Sequence, residues 1–317
     1  RFTACWRKAR AMPTKAANLL TLREMLEAAR RAGCAVGSFA PRYTPVIAPV
    51  LRAGQRADSP LIVQISQNEF GWYQVSADEF AAVFFSELER QAITVPVTLH
   101  LDHTRDFAVI QQAIAAGFTS VMIDASDRPL DENIAITRQV VEYAHAHGVS
   151  VEAELGRIGK ASDENIETDD DTELFTDPRE ARRFVDETGV DALAVSIGTV
   201  HGVYKVKQPR IDFDRLRAIR AETPVPLVLH GGSGVPPDAI QRAIHLPGDG
   251  VTKINIATDL ENALLAALGR EQRMLNAECK ALPPEQLGPA LDAVEQTVAD
   301  KIVHFLHSHG YAKEFAR

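Results

Sequence analysis

Eight short apolar runs alternate with eight amphipathic stretches along this chain, and that alternation limits the fold more than any other feature. The runs cover residues 35–39, 61–66, 95–101, 120–124, 150–155, 192–197, 226–229 and 252–256. Each is close to continuously apolar, as expected of parallel strands covered on both faces. The stretches 22–31, 44–53, 77–90, 107–115, 132–147, 178–187, 213–221 and 237–245 carry apolar residues at helical spacing. Thr21 and Asp131 stand where N-caps belong, and Gly117 and Gly148 follow helix ends. Alternating strand and helix selects an α/β fold with a parallel sheet, and eight such units close into a (β/α)8 TIM barrel. An open doubly wound sheet is the alternative, disfavoured because no G-x-G-x-x-G follows the first run.

A barrel of roughly 250 residues accounts for most of the 317. Residues 12–270 are assigned to it, with 1–11 set aside as a tag or N-terminal extension before Met12. Residues 271–317 form a helical extension, either part of the same domain or an oligomer contact. Leu291, Val294, Val298, Ile302 and Phe305 make an apolar stripe there; such a tail either caps a barrel end or packs on a second subunit, the subunit being favoured. Assembly as a homodimer or homotetramer is expected. Hydrophobic content of 45% with 24% charged residues is that of a soluble globular protein. A net charge of −9 argues against a nucleic-acid surface. No apolar stretch is long enough to span a bilayer. Cys5, Cys34 and Cys279 form no C-x-x-C pair, which fits a reducing cytoplasm better than a disulfide framework. The acidic segment 162–173 is too polar for a core; it reads as a solvated loop, with a mobile lid as the functional alternative.

Three histidines follow the apolar residues of the third, sixth and seventh runs: His103, His201 and His230. Three imidazoles with one open coordination position are the ligand set of a catalytic zinc site, and strand ends that meet on one rim of a barrel can deliver them. His100 either competes as a ligand or packs behind the others. Asp102, beside His103, suits proton exchange with a substrate oxygen, the alternative being a helix cap for the segment opening at Thr104. Gly231, Gly232, Ser233 and Gly234 bring bare amides and a hydroxyl to a loop before a helix, and Asn255 and Thr258 stand at the next rim position. Loops after the seventh and eighth strands are where this fold places phosphate.

In combination these segments resemble the class II, metal-dependent ketose-bisphosphate aldolases, of the fructose- and tagatose-bisphosphate branch. The matching stretches are Leu-His-Leu-Asp-His (99–103), Ser-Val-Met-Ile-Asp (120–124), Val-Glu-Ala-Glu-Leu-Gly (151–156), Ile-Gly-Thr-Val-His-Gly-Val-Tyr-Lys (197–205), Leu-His-Gly-Gly-Ser-Gly (229–234) and Lys-Ile-Asn-Ile-Ala-Thr (253–258). The resemblance implies that His103, His201 and His230 hold a zinc ion, with Glu154 a carboxylate at an alternative metal position. It implies that Asp102 exchanges the proton of the substrate's C4 hydroxyl. Gly202, Gly231, Gly232, Ser233, Asn255, Ala257 and Thr258 would hold the dihydroxyacetone phosphate half, with Gln64 and Ser66 lining the same pocket. A monovalent cation, Na+ or K+, would sit near the phosphate.

The chain departs from the family pattern in two places. Where the family carries a catalytic acid in a loop after the fifth strand, gapless alignment puts Ser162, so Asp163 or Glu164 must substitute; Glu164 is assigned. After the first strand the family has Phe-Asn, and this chain has Phe39-Ala40-Pro41-Arg42. Arg42 and Lys160 would add cations to the rim, hinting at an altered aldehyde specificity. A metal-dependent hydrolase on the same barrel and a non-catalytic homologue are the other readings.

Overall fold

A computed structural model of the chain describes residues 17–158, 174–200 and 211–315. Its strands are β1 (Val36–Phe39), β2 (Leu61–Ser66), β3 (Val97–Thr104), β4 (Ser120–Ile123), β5 (Ser150–Leu155), β6 (Ala192–Val195), β7 (Leu227–Leu229) and β8 (Val251–Ile256). They pair in chain order, all parallel, and β1 closes on β8. All eight predicted strands are present, and the barrel reading holds. Its helices begin with α1 (Leu22–Ala32), α2 (Ile47–Arg56), α3 (Gln67–Tyr73), α4 (Ala77–Arg90), α5 (Phe107–Ala116) and α6 (Leu130–Ala146). They continue with α7 (Pro178–Thr188), α8 (Phe213–Glu222), α9 (Pro237–Ile244), α10 (Thr258–Ala267), α11 (Asn276–Lys280) and α12 (Pro284–Asp300). The short α3 has no counterpart in the sequence reading; its seven residues make about two turns, too short for its period to register.

Strand alternation sorts the side chains into two environments. Leu61, Val63 and Ile65, like Val97, Leu99 and Leu101, face outward into the main apolar core beneath the helices. Val36, Ile62, Met122, Ala192, Ala194 and Val228 point inward near the N-terminal end of the barrel, where they meet α1. That helix closes the barrel floor. Thr21 and Glu24 form a reciprocal cap at its start, and Gly33 ends it at φ +65°. Leu22, Met25 and Leu26 are fully buried, each contributing about 1.5–3 kcal/mol of hydrophobic free energy. With the floor sealed by apolar packing, polar inward positions are left to the opposite rim.

The helical extension does not keep its stripe for a second subunit. The α12 helix packs between α10 and α2, and a π-helical turn over Lys301–Leu306 packs on α9 and β1. Val294, Val298, Ile302 and Phe305 are buried by these contacts. The stripe is helical, and the surface it faces belongs to the same chain.

Candidate active site

The upper inward positions are polar almost without exception: Ser38, Gln64, His100, Asp102, Glu152, Glu154, His230, Lys253 and Asn255 are all buried. Buried polar groups must be hydrogen-bonded or paired, so such a concentration demands a network. Asp102 lies at its centre. Its Oδ2 accepts from Gln64 Nε2 at 3.0 Å, and Asn255 Nδ2 donates to both carboxylate oxygens at 3.2 Å. Ser38 Oγ donates in turn to Gln64 Oε1, which orients that amide. Burial works to raise the Asp102 pKa, but the charges of His103, Lys253 and His230 and a bond from His100 hold it well below the usual carboxylate range.

Strict alternation would turn His103 away from Asp102, because neighbours on a strand face opposite sides. The barrel solves this with an irregularity. The β3–β4 register shifts between Leu101 and Thr104, and His103 adopts φ +30°. A left-handed backbone at a non-glycine residue is stored strain of order 1–3 kcal/mol. It swings the imidazole back onto the rim, so two consecutive residues serve one site. His103 Nδ1 lies 3.2 Å from Asp124 Oδ2, and its ring stands 4.5 Å from that of His230, at 70°. Burial opposes a charge on His103, yet Asp102 and Asp124 push it up to about 10. Asp124, buried and bonded to His103 and Ser126, is held below the ordinary range.

Ligand atoms of Asp102, His103 and His230 lie within 4.8 Å of one another, and so do those of His103, Asp124 and Glu154. Glu154 Oε2 is buried with no hydrogen-bond partner, 3.3 Å from His230 Nδ1 and 4.0 Å from His103 Nδ1. Imidazole nitrogens and carboxylate oxygens crowded in this way suit a divalent cation such as zinc.

Beside this cluster, the loop after β7 runs against the neighbouring strand ends. Gly231 holds φ +67°, and a Cβ there would sit 2.3 Å from the Val200 carbonyl oxygen. A Cβ on Gly232 would lie 2.8 Å from the Asn255 carbonyl oxygen, which already accepts the Gly232 N–H. Both glycines are therefore required by packing. Ser233 Oγ and Asn255 Oδ1 are buried without a hydrogen-bond partner, two polar atoms beside a loop that opens toward α9. Ala257 and Thr258 begin α10, whose first-turn amides add donors.

The structure thus brings together Asp102, His103, His230, Glu154, Gln64 and Asn255, with Gly231, Gly232 and Ser233 on the adjoining loop. Ser66 is engaged elsewhere: its hydroxyl caps α3 by accepting from Glu69 N–H. His201, Gly202 and Glu164 lie outside the described residues, as do Lys160 and the acidic segment up to residue 173. Arg42 is not a spare cation. It is clamped by Glu69 at 2.6 Å and by Glu261, which also accepts from Tyr73 at 2.6 Å. Two carboxylates neutralise it, so it does not present a bare charge to a substrate. Asp124, Glu152 and Lys253 received no role from the sequence, although a signal existed. Glu152 and Lys253 each precede a recognised residue, Glu154 and Asn255, by two positions and so share its face.

Comparison with known proteins agrees with this geometry. The family model described as fructose-bisphosphate aldolase class-II matches residues 20–310. The fructose-bisphosphate aldolase of Staphylococcus epidermidis (strain RP62A) is 40% identical over 289 residues, covering 90% of this chain and 97% of that one. The crystal structure of the YdjI aldolase from Escherichia coli K12 superimposes with a TM-score of 0.77 at 33% identity, over 93% of this chain and 99% of that chain. A fructose-bisphosphate aldolase from Campylobacter jejuni, 23% identical with a TM-score of 0.72 over 92% of this chain and 97% of that one, shares the fold. The chain belongs to the class-II fructose-bisphosphate aldolase family and is a carbon–carbon lyase.

Proposed function

We propose that this aldolase is zinc-dependent and cleaves a phosphorylated ketose of the fructose 1,6-bisphosphate or tagatose 1,6-bisphosphate type into dihydroxyacetone phosphate and an aldehyde. The observation that carries the reading is an ionised Asp102, fixed by two amide donors, directly beside paired imidazoles and the unpartnered Glu154 oxygen. His103 and His230, completed by His201, would hold the ion, with Glu154 and Asp124 at hand for an alternative position. A zinc ion there supplies an electrophile for the ketone and its neighbouring hydroxyl oxygen, offsetting the negative charge that develops when the C3–C4 bond breaks.

The protein's own groups do the rest. Asp102 accepts the proton of the C4 hydroxyl, and the Gln64 and Asn255 amides keep its lone pairs aimed and disperse the charge between turnovers. The Gly231–Gly234 amides, Ser233 Oγ and the first turn of α10 bind the phosphate, which benefits from bare N–H donors and the helix dipole. A group on the segment after β5, assigned to Glu164, returns a proton to the carbon of the leaving three-carbon fragment. The monovalent cation near the phosphate rests on the family resemblance, as does assembly as a homodimer or homotetramer. A cytoplasmic location is supported by Cys34 and Cys279, both buried and free. Among the described residues no helix is long and apolar enough to cross a membrane.

The test is condensation. Dihydroxyacetone phosphate offered with a panel of aldehydes should give a ketose phosphate product, and chelation followed by zinc repletion should abolish and restore it. Condensation that survives exhaustive chelation would refute zinc dependence; no condensation with any aldehyde would refute the substrate class.

A further inference from the structure

Beneath the rim, on the floor side of the candidate ligands, lies a buried group of charges that has no step of its own in the reaction. Glu152 and Lys253 are both fully buried, one on β5 and the other on β8, and Lys253 Nζ donates to Glu152 Oε2 at 2.8 Å. The other oxygen of Glu152 faces His230 Nε2 at 2.8 Å. Lys253 also lies 3.4 Å from His100 Nε2 and 3.9 Å from Asp102 Oδ1. His100 Nδ1 is 2.8 Å from Ser120 Oγ.

The donor and acceptor roles around Glu152 follow from its two contacts. An ionised carboxylate only accepts, so the nitrogen opposite Glu152 must carry a proton. Lys253 Nζ occupies one oxygen of Glu152 as a donor, and the other oxygen faces His230 Nε2 as an acceptor. His230 is then protonated on Nε2, and its Nδ1 edge is the one turned to Glu154 and His103.

We infer that Glu152 is a positioning residue for the metal site: it fixes the tautomer and ring angle of His230 so that Nδ1 is the ligand atom, with Lys253 as its buried salt-bridge partner. The inference rests on the zinc reading above. Carboxylates that hold the far nitrogen of a ligating histidine raise its basicity and remove its rotational freedom, and their loss typically weakens metal binding by about 10–100-fold. His103 shows the mirror arrangement, with Nδ1 held by Asp124 so that Nε2 is the outward nitrogen. Two rings from different strands are therefore set in opposite tautomers by two different acids.

The decisive protein is the double variant Glu152→Leu/Lys253→Met, which removes the acceptor opposite His230 Nε2 together with the lysine paired to it. Zinc affinity is measured by competition with a chromophoric chelator, alongside a thermal melt, for the full chain and the variant. The expected result is a folded double variant whose zinc affinity is lower by about 10–100-fold. A folded variant that binds zinc as tightly as the parent overturns the inference, since His230 would then present Nδ1 without Glu152. A parent chain that binds no zinc overturns the metal reading itself, which separates the two failures. Should the variant not fold, 15N-histidine spectra of the zinc-loaded parent decide: a zinc-bound ring protonated on Nε2 is expected, and none of that kind refutes the assignment.

Discussion

Replacing Asp102 by asparagine keeps the shape of the side chain and removes its charge and its ability to take a proton. The carboxylate now accepts from Gln64 at 3.0 Å and from Asn255 at 3.2 Å on both oxygens. Asparagine offers one acceptor oxygen, and its own NH2 must face one of those amide donors. A buried donor left against a donor costs about 1–3 kcal/mol, which in a domain of this size lowers the melting temperature by about 2–4 °C per kcal/mol. That leaves the protein folded at assay temperature. The catalytic loss is separate: removing a proton-transfer group lowers kcat by about 10²–10⁴-fold, or roughly 3–5 kcal/mol of barrier. Glu154 and the imidazoles remain, so bound zinc should stay near one equivalent per chain. The assay is steady-state cleavage of the bisphosphate coupled to dihydroxyacetone phosphate reduction, with zinc content measured on the same preparation. A zinc-replete Asp102→Asn protein within about three-fold of the parent kcat would remove Asp102 from the chemistry.

Three other perturbations follow from the same structure. In the metal-free protein His103 is raised from 6.5 to about 10, so its stabilising contribution is complete below pH 6.5 and disappears as pH climbs through about 10. Denaturant midpoints of the apoprotein should therefore fall across that window, and a flat profile would contradict the Asp102–His103–Asp124 arrangement. Arg42→Met leaves Glu69 and Glu261 without their shared cation; breaking a buried pair by removing one partner costs about 3–5 kcal/mol, visible as a lowered melting temperature. If melting is unchanged, Arg42 is not the clamp its contacts suggest. Gly231→Ala combines a left-handed backbone worth about 1–2 kcal/mol with a methyl forced against the Val200 carbonyl, so both stability and KM for dihydroxyacetone phosphate should suffer. An unaffected KM would separate this loop from phosphate binding.

The barrel was legible because its period is local. Runs such as 61–66 and 150–155 are apolar on the outward face whatever their partners, and α1 is announced by the Thr21–Glu24 cap as much as by Leu22, Met25 and Leu26. Residue types at strand ends were equally plain: His103 and His230, Asp102, and the glycines before α9. Two readings needed the structure because a side chain's partner is not written beside it. Arg42 looked like a rim cation until Glu69 and Glu261, 27 and 219 residues away in sequence, were found holding it. The stripe on the tail fits a barrel or a second subunit by sequence, and the structure packs it on α2 and α10.

Strand number, strand order and the identities of Asp102, His103, Glu154 and His230 come from patterns a few residues long, since burial on a strand or helix is dictated by its own alternation. The aim of His103 does not. It depends on a register slip against β4 and a strained backbone that closure of the whole ring sustains. Lys253 meets Glu152 across the barrel lumen, 101 residues apart, only because eight strands close with one particular stagger. Partner choice inside a closed barrel is a property of all its strands at once, and so it exists in the tertiary structure alone.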